Sequence, residues 1–188
     1  MKHSIIFVGL DVHKDSIDIA LADDGRNGEI RFYGTINSDL DSFDKAIRKF
    51  RCSGTELHFV YEAGPCGYEI YRHLTSQGLH CDVIAPSMTP KRSGDRIKTD
   101  RRDAVTLARL YRAGELTPVY VPREDDEAMR DLVRGRDDAV NATRKARQRL
   151  SALLLRHGYR YAGRRAWSVA HMRWLAEIKM SHSAQQIT

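Results

Sequence analysis

The chain has 188 residues, of which 41% are hydrophobic and 30% are charged, and its formal net charge is +6. This length allows one domain with a core of ordinary size and excludes a large multidomain enzyme. No segment approaches the roughly 18 consecutive apolar residues that a membrane span needs. The N-terminal apolar run is too short for a secretory signal, so we expect a cytoplasmic protein without a membrane partner. The three cysteines form no Cys-x-x-Cys pair, which argues against a disulfide framework or a zinc site.

The N-terminal part of the sequence predicts a three-stranded meander. Residues 5–12 are apolar almost throughout, as in a central strand that is covered on both faces. Ile17, Ile19 and Leu21 alternate with small or polar residues, which indicates a neighbouring strand. Turn-forming residues at 23–28 then precede a third strand at 29–36.

Helices and strands alternate in the next part of the sequence. A helix is predicted over about 40–50, a strand over 57–61, a helix closed by Gly78, and a short strand over 81–85. A loop rich in proline and basic residues at 86–98 leads to a helix over 100–113. This order predicts an α/β fold in which a mixed sheet is flanked by helices.

The last third reads as a helical arm. Residues 116–122 contain two prolines and are expected to be extended without forming a core strand. From 124 to about 156 the sequence predicts one helix of roughly 50 Å, at 1.5 Å per residue. A heptad-like series along it is apolar at six of eight positions, which indicates a coiled-coil seam within a helical hairpin or between two subunits. No second core is evident beyond this helix.

Four acidic residues occupy positions that suit metal binding. Asp11 ends the first apolar strand and Glu62 ends the strand over 57–61, while Asp100 and Asp103 lie one turn apart and continue the apolar stripe of their helix. Clustering like charges is costly unless a cation lies between them, and carboxylate oxygens are the ligands that Mg²⁺ prefers. The four residues therefore suggest a Mg²⁺ (or Mn²⁺) site for phosphodiester chemistry.

Each acid also has an ordinary structural interpretation. Asp100 would serve as a helix N-cap with Asp103 in the first turn, where both are favoured by the helix dipole. Asp11 would begin a turn, and Glu62 would pair with a nearby arginine. His13 is interpreted as a turn residue and not as a ligand.

The positive charge is concentrated near the C-terminus. Residues 141–179 contain ten basic residues against Glu177 alone, which is a distribution typical of polyanion binding. Basic residues also accompany the acids of the predicted helix. The residues predicted to bind nucleic acid are Lys98, Arg101, Arg102, Arg144, Lys145, Arg147, Arg149 and Arg156.

Three motifs make the sequence recognisable. They are Val-Gly-Leu-Asp-Val-His-Lys at 8–14, Tyr-Glu-Ala-Gly-Pro-Cys-Gly-Tyr at 61–68, and Lys-Thr-Asp-Arg-Arg-Asp-Ala at 98–104. In this order they resemble the DEDD-type transposases of bacterial insertion sequences, the IS-one-ten family, which is related to the Piv DNA invertases. The resemblance covers residues 4–160.

The resemblance implies a ribonuclease H-like, RuvC-type catalytic domain over residues 1–118, with Asp11, Glu62, Asp100 and Asp103 as its acidic tetrad. Residues 119–188 would form a basic helical or coiled-coil region through which the protein forms homo-oligomers. Implied partners are DNA and an element-encoded guide RNA. Family members carry a further C-terminal domain with a nucleophilic serine, and we expect this chain to end before it and not to be fully active alone.

Two other functions fit the same residues. A stand-alone RuvC-like nuclease of the Holliday-junction type would need the same acids but no serine domain. A truncated, non-catalytic module for nucleic-acid binding or dimerisation would need only the basic arm. A sugar-kinase or actin-like ATPase half shares the Gly-Leu-Asp hairpin at 9–11, but it would need a second nucleotide-binding half with glycine-rich loops, for which the sequence leaves no room.

Overall fold

A computed structural model describes residues 4–51, 55–90 and 100–187, with the exception of the Asp100 side chain. The chain divides into two compact units, Met1–Val121 and Pro122–Thr188. The first unit is a mixed α/β structure built on a five-stranded sheet. Among the residues that the structure describes, no helix is both long and apolar enough to cross a membrane.

The predicted elements of the first unit all form. Its strands are β1 (Ser4–Val12), β2 (Ser16–Asp23), β3 (Ile30–Asn37), β4 (Thr55–Glu62) and β5 (His80–Ile84). Its helices are α1 (Leu40–Phe50), α2 (Glu69–Ser76) and α3 (Asp100–Arg112), with a short 3₁₀ turn at Pro86–Met88.

The strand order is β3-β2-β1-β4-β5, which places β1 at the centre of the sheet. The pairs β1–β2 and β2–β3 are antiparallel, as in the predicted meander, and the pairs β1–β4 and β4–β5 are parallel. The segment after α3 runs along β5, where the Val119 N–H donates to the Val83 carbonyl at 2.8 Å. Its prolines limit it to an isolated bridge between Ile84 and Pro118.

The two faces of the sheet are covered differently. One face carries the large core side chains, among them Leu10, Ile19, Phe43, Phe59 and Leu74, where strand residues meet α1 and α2. On the opposite face the small residues Ala20 and Ala22 pack against Ala104 and Ala108 of α3, and the larger Val60 and Ile84 pack against Leu107 of the same helix. The small side chains let α3 approach the sheet closely.

Helix α1 begins where the sequence predicts. Asp39 caps it and accepts a hydrogen bond from the Ser42 backbone N–H at 2.7 Å. That hydrogen bond holds the pKa of Asp39 below its usual value. Phe43, Ala46, Ile47 and Phe50 then recur at helical spacing and are buried against the sheet.

The second unit contains the long helix α4 (Glu124–Arg156), followed by α5 (Val169–Glu177) and α6 (Ser183–Ile187). All residues over 128–149 of α4 are exposed, so no partner for the predicted coiled-coil seam lies in the described part of the chain. The coiled coil remains a prediction. In the region after α4, the ring of His171 is buried beside those of Tyr161 and Trp174.

Candidate active site

Asp11 and Glu62 lie at the same edge of the sheet. Strands β1 and β4 are parallel neighbours, and their last aligned pair is Leu10 with Tyr61. Asp11 and Glu62 are the next residue of each strand. Because side chains alternate between faces, both acids belong to the face opposite the one on which Leu10 and Tyr61 are buried.

That face is the one covered by α3. A Cβ atom added at Gly9 would lie 2.4 Å from the Ala104 carbonyl oxygen and 2.5 Å from the Ala108 nitrogen. Further along, the ring of Tyr111 meets that of Phe7 with a centroid distance of 5.6 Å. Helix α3 therefore runs antiparallel to β1, and its N-terminal end lies toward the end of β1 that carries Asp11.

The two predicted acids of α3 lie in its first turn. The helix begins at Asp100, and half-buried Asp103 directly precedes Ala104, the residue above Gly9. The side chain of Asp100 lies outside the described residues. Within the described part of the chain, no three histidine, cysteine, aspartate or glutamate side chains are arranged to hold a metal ion.

Both strand-end acids have polar partners. The Thr89 hydroxyl, just after the 3₁₀ turn, donates to Glu62 Oε1 at 2.7 Å. His13 Nε2 lies 3.3 Å from Asp11 Oδ2, which gives this residue a contact with the site that its interpretation as a plain turn residue did not include. Thr89 fixes one oxygen of Glu62. His13 can donate a hydrogen bond to Asp11 when its imidazole carries the proton on Nε2.

A fifth acid, Asp18, was not among the predicted site residues. It lies directly opposite Asp11 in the register of the antiparallel strands β1 and β2, and it is 6% exposed. The Thr35 hydroxyl donates to its Oδ1. Like charges that face each other across two strands are unfavourable, so Asp18 adds negative charge beside Asp11. The signal was present in the sequence, because Asp18 falls on the same alternating positions as Ala20 and Ala22.

Two tyrosines, the buried Tyr61 and the partly buried Tyr111, tie the strands β4 and β5 to neighbouring segments. Burial raises the pKa of Tyr61, and its hydroxyl donates to the Gly67 carbonyl at 3.1 Å. Burial, followed by the hydrogen bond to Asp82, raises the pKa of Tyr111, whose hydroxyl donates to Asp82 Oδ2 at 2.6 Å. Both remain neutral donors and tie β4 and β5 to their neighbouring elements.

The predicted nucleic-acid residues fall in three places. Lys98 lies outside the described residues. Arg101 and Arg102 are exposed in the first turn of α3, where the Arg101 guanidinium lies 5.0 Å from the centre of the Phe32 ring. The basic residues of the arm are exposed on α4, which ends at Arg156. Within that group, Arg147 contacts the ring of Trp167.

The strand order, with helices on both faces and acids at the ends of central strands, is compatible with a ribonuclease H-like fold. Comparison with known proteins identifies the family. The family model of DEDD transposases of the IS110 (IS-one-ten) type, described as a transposase, matches residues 8–158. The chain belongs to this family, as its three motifs predicted.

Two relatives cover nearly the whole chain. A putative transposase, y4qE, of Sinorhizobium fredii (strain NBRC 101917 / NGR234) is 50% identical over 181 residues, which are 96% of this chain and 46% of the relative. The transposase for insertion sequence element IS1533 of Leptospira borgpetersenii is 37% identical over 97% of this chain and 53% of the relative. The chain thus spans about half the length of these curated relatives.

Proposed function

We propose that the chain supplies the acid-bearing, nucleic-acid-binding part of an insertion-sequence transposase. In this proposal Asp11, Glu62, Asp100 and Asp103 hold Mg²⁺ or Mn²⁺ for the cleavage and transfer of DNA strands. The observation that carries it is the shared sheet edge of Asp11 and Glu62, beneath the helix that begins with the other two acids. Membership of a transposase family supports the choice of DNA as the substrate.

The chemistry of the residues fits a hard divalent cation. All four proposed ligands are carboxylates, whose oxygens Mg²⁺ and Mn²⁺ prefer to nitrogen or sulfur. A bound divalent cation activates the attacking oxygen and neutralises charge that develops on the phosphate. Asp18, buried beside Asp11, adds to the negative potential that would attract such a cation.

The chain's own residues hold this site in place. Asp11 lies near the end of a central strand that pairs on both sides, so its backbone is fixed by β2 and β4. Thr89 orients Glu62 through one carboxylate oxygen and leaves the other for a ligand. Gly9 has no side chain, so α3 lies close to β1 and Asp103 approaches the site.

The division of labour between the two parts of the chain is also proposed. Residues 1–118 would form the RuvC-like catalytic domain, and residues 119–188 the basic helical region that binds DNA and a guide RNA through phosphate contacts. Homo-oligomers would form through the exposed apolar side chains of α4. These include Met129, Leu132, Val133 and Val140.

A titration of divalent cations tests the metal site. Clustered acids repel one another in the absence of a cation, so millimolar Mg²⁺ or Mn²⁺ should raise the melting temperature of the first unit by several degrees. Asp11→Asn should stabilise the cation-free protein and abolish the response. The matched control is Asp15→Asn, which makes the same charge change at an exposed turn position of the same hairpin.

The outcomes separate the acidic site from a general effect of salt. Equal responses of the wild-type protein and of both variants would show that the cation does not bind at Asp11 and would refute the proposed site. Substitution of any one of the four acids should abolish any metal-dependent nicking of DNA by the chain. DNA affinity should stay within about twofold, because phosphate contacts dominate binding.

A further inference from the structure

The second unit contains a groove that the acidic site does not use. It is lined by Trp167 and by residues of α4, among them Val140, Thr143, Arg144 and Arg147. The groove is open to solvent and has a volume of about 720 Å³, which is within the range of small-ligand sites. It combines an aromatic ring, apolar side chains and two guanidinium groups in one place.

Trp167 is held in an unusual conformation. It is the non-glycine residue with a positive φ, 62°, among the residues that the structure describes. This backbone conformation is unfavourable for a residue with a side chain, and it persists where surrounding contacts enforce it. Here the Trp167 N–H donates to His171 Nδ1 at 3.0 Å, and Ser168 caps α5 by accepting from the His171 N–H at 3.3 Å.

His171 is itself fixed by an aromatic cluster. Its ring centroid lies 4.6 Å from that of Tyr161, 5.1 Å from that of Trp167 and 5.5 Å from that of Trp174, over which it is stacked. His171 is 6% exposed, so its position is fixed by the surrounding rings. Because it accepts from the Trp167 N–H and contacts the Trp167 ring, it restrains both the backbone and the ring of Trp167. The indole is thus presented to the groove before any ligand binds, which lowers the entropic cost of binding.

The charge of the surroundings selects an anionic ligand. The guanidinium carbon of Arg147 lies 5.1 Å from the centre of the Trp167 ring, and the whole stretch 141–179 contains ten basic residues against one acidic residue. An aromatic face beside guanidinium groups matches a nucleotide, because the base stacks on the ring while the phosphate accepts hydrogen bonds from arginine. Bases stacked inside a duplex cannot reach such a ring.

We infer that this groove binds an unpaired nucleotide, with its base against Trp167 and its phosphates on Arg144 and Arg147. The inference rests on the proposed nucleic-acid binding of the arm and makes it more specific, because it predicts a preference for single strands over duplexes. The single strand could come from a displaced DNA strand or from an RNA loop, which present the same chemistry. Arg147 would exchange its contact with the indole for a charge-assisted hydrogen bond to phosphate.

Tryptophan fluorescence gives a direct test, because the chain has only two tryptophans. Trp174→Phe leaves Trp167 as the reporter, and Trp167→Phe leaves Trp174. Short oligothymidylate and oligouridylate, added separately at low salt, should quench the first variant and leave the second nearly unchanged. Quenching by one of the two oligomers and not the other would identify DNA or RNA as the source of the ligand.

Affinity measurements with matched variants test the roles of Trp167 and of the two arginines. Trp167→Ala should weaken binding of single strands by about tenfold and binding of duplex DNA by less than twofold. Arg144→Gln with Arg147→Gln should weaken single-strand binding more than Lys145→Gln with Arg149→Gln. The two pairs remove equal charge, but at 100° per residue they lie on opposite sides of α4. Circular dichroism checks the fold of each variant, and the Trp167→Phe comparison remains valid if Trp167→Ala does not fold.

Several results would overturn the inference. If duplex and single strands bind equally and Trp167 is not quenched, the groove is not a base-binding site, although the arm still binds nucleic acid. If no nucleic acid binds at low salt, both this inference and the proposed role of the arm fail. If Val140→Glu converts a dimer to a monomer in sedimentation experiments and Trp167 shows no quenching, a second copy of the chain occupies the groove.

Discussion

Replacement of Gly9 by alanine tests the close contact between β1 and α3 on which the candidate site depends. The new Cβ atom would lie 2.4 Å from the Ala104 carbonyl oxygen and 2.5 Å from the Ala108 nitrogen, whereas ordinary contacts begin at 3.4 Å. Both atoms belong to the helix backbone and cannot rotate away. Helix α3 would therefore have to move away from the sheet by about 1 Å.

The energetic cost follows from what this movement disrupts. Overpacking a close-packed core typically costs about 1–3 kcal/mol, and a clash with backbone atoms belongs at the upper end of that range. The movement would also loosen the contacts of Leu107 with Val60 and Ile84. For a unit of this size, about 3 kcal/mol corresponds to a decrease of roughly 10 °C in melting temperature. If the proposed metal site is right, the same movement would shift Asp103 relative to Asp11 and weaken the proposed stabilisation by Mg²⁺.

Calorimetry combined with tryptophan fluorescence measures the effect on each unit. Both tryptophans, Trp167 and Trp174, lie in the second unit, so their fluorescence transition should be unchanged while the calorimetric transition of the first unit shifts. Gly135→Ala is the matched control. No atom lies within 4 Å of its added Cβ, so this change should stabilise α4 by about 0.5–1 kcal/mol. Wild-type stability and an unchanged Mg²⁺ response of Gly9→Ala would refute the close packing of α3 on β1.

Three further predictions concern separate parts of the chain. Hydrogen bonds from His73 and Gln77 lower the pKa of Asp44. They therefore stabilise the folded protein above a pH of about 4, and this contribution is lost as the pH falls further. In Asp44→Asn, the denaturant concentration at the unfolding midpoint should depend less on pH in this acidic range. Tyr111→Phe should cost about 1–2 kcal/mol in denaturant unfolding, because it leaves Asp82 without its hydroxyl donor. A variant that replaces Arg144, Lys145, Arg147 and Arg149 should bind DNA with a weaker dependence on salt. In gel shifts, the slope of log affinity against log salt concentration should become less steep by up to about 0.9 per lost phosphate contact. An unchanged slope would exclude these residues from the interface.

Local sequence patterns determined most of the secondary structure and the family. A nearly continuous apolar run predicted β1, and alternation predicted β2 and β4, because a side chain's face in a strand depends only on its position in a two-residue repeat. The turn glycine Gly78 marked the end of a helix for an equally local reason, its tolerance of a positive φ. The three motifs indicated the family that the comparison then confirmed. The acidic tetrad itself stays a prediction, since the side chain of Asp100 is not described.

Only the tertiary structure decided which of these elements meet. That Asp11 and Glu62 lie near the same ends of neighbouring parallel strands depends on pairing between segments about fifty residues apart. Local periodicity does not encode such pairing. The same holds for Asp18, whose place beside Asp11 follows from the register of β1 on β2. The groove at Trp167 was not predicted either, because it depends on a positive φ and on rings brought together by a turn. Faces and termini are local properties of a sequence, whereas neighbours across a sheet or a groove are fixed by packing between distant residues.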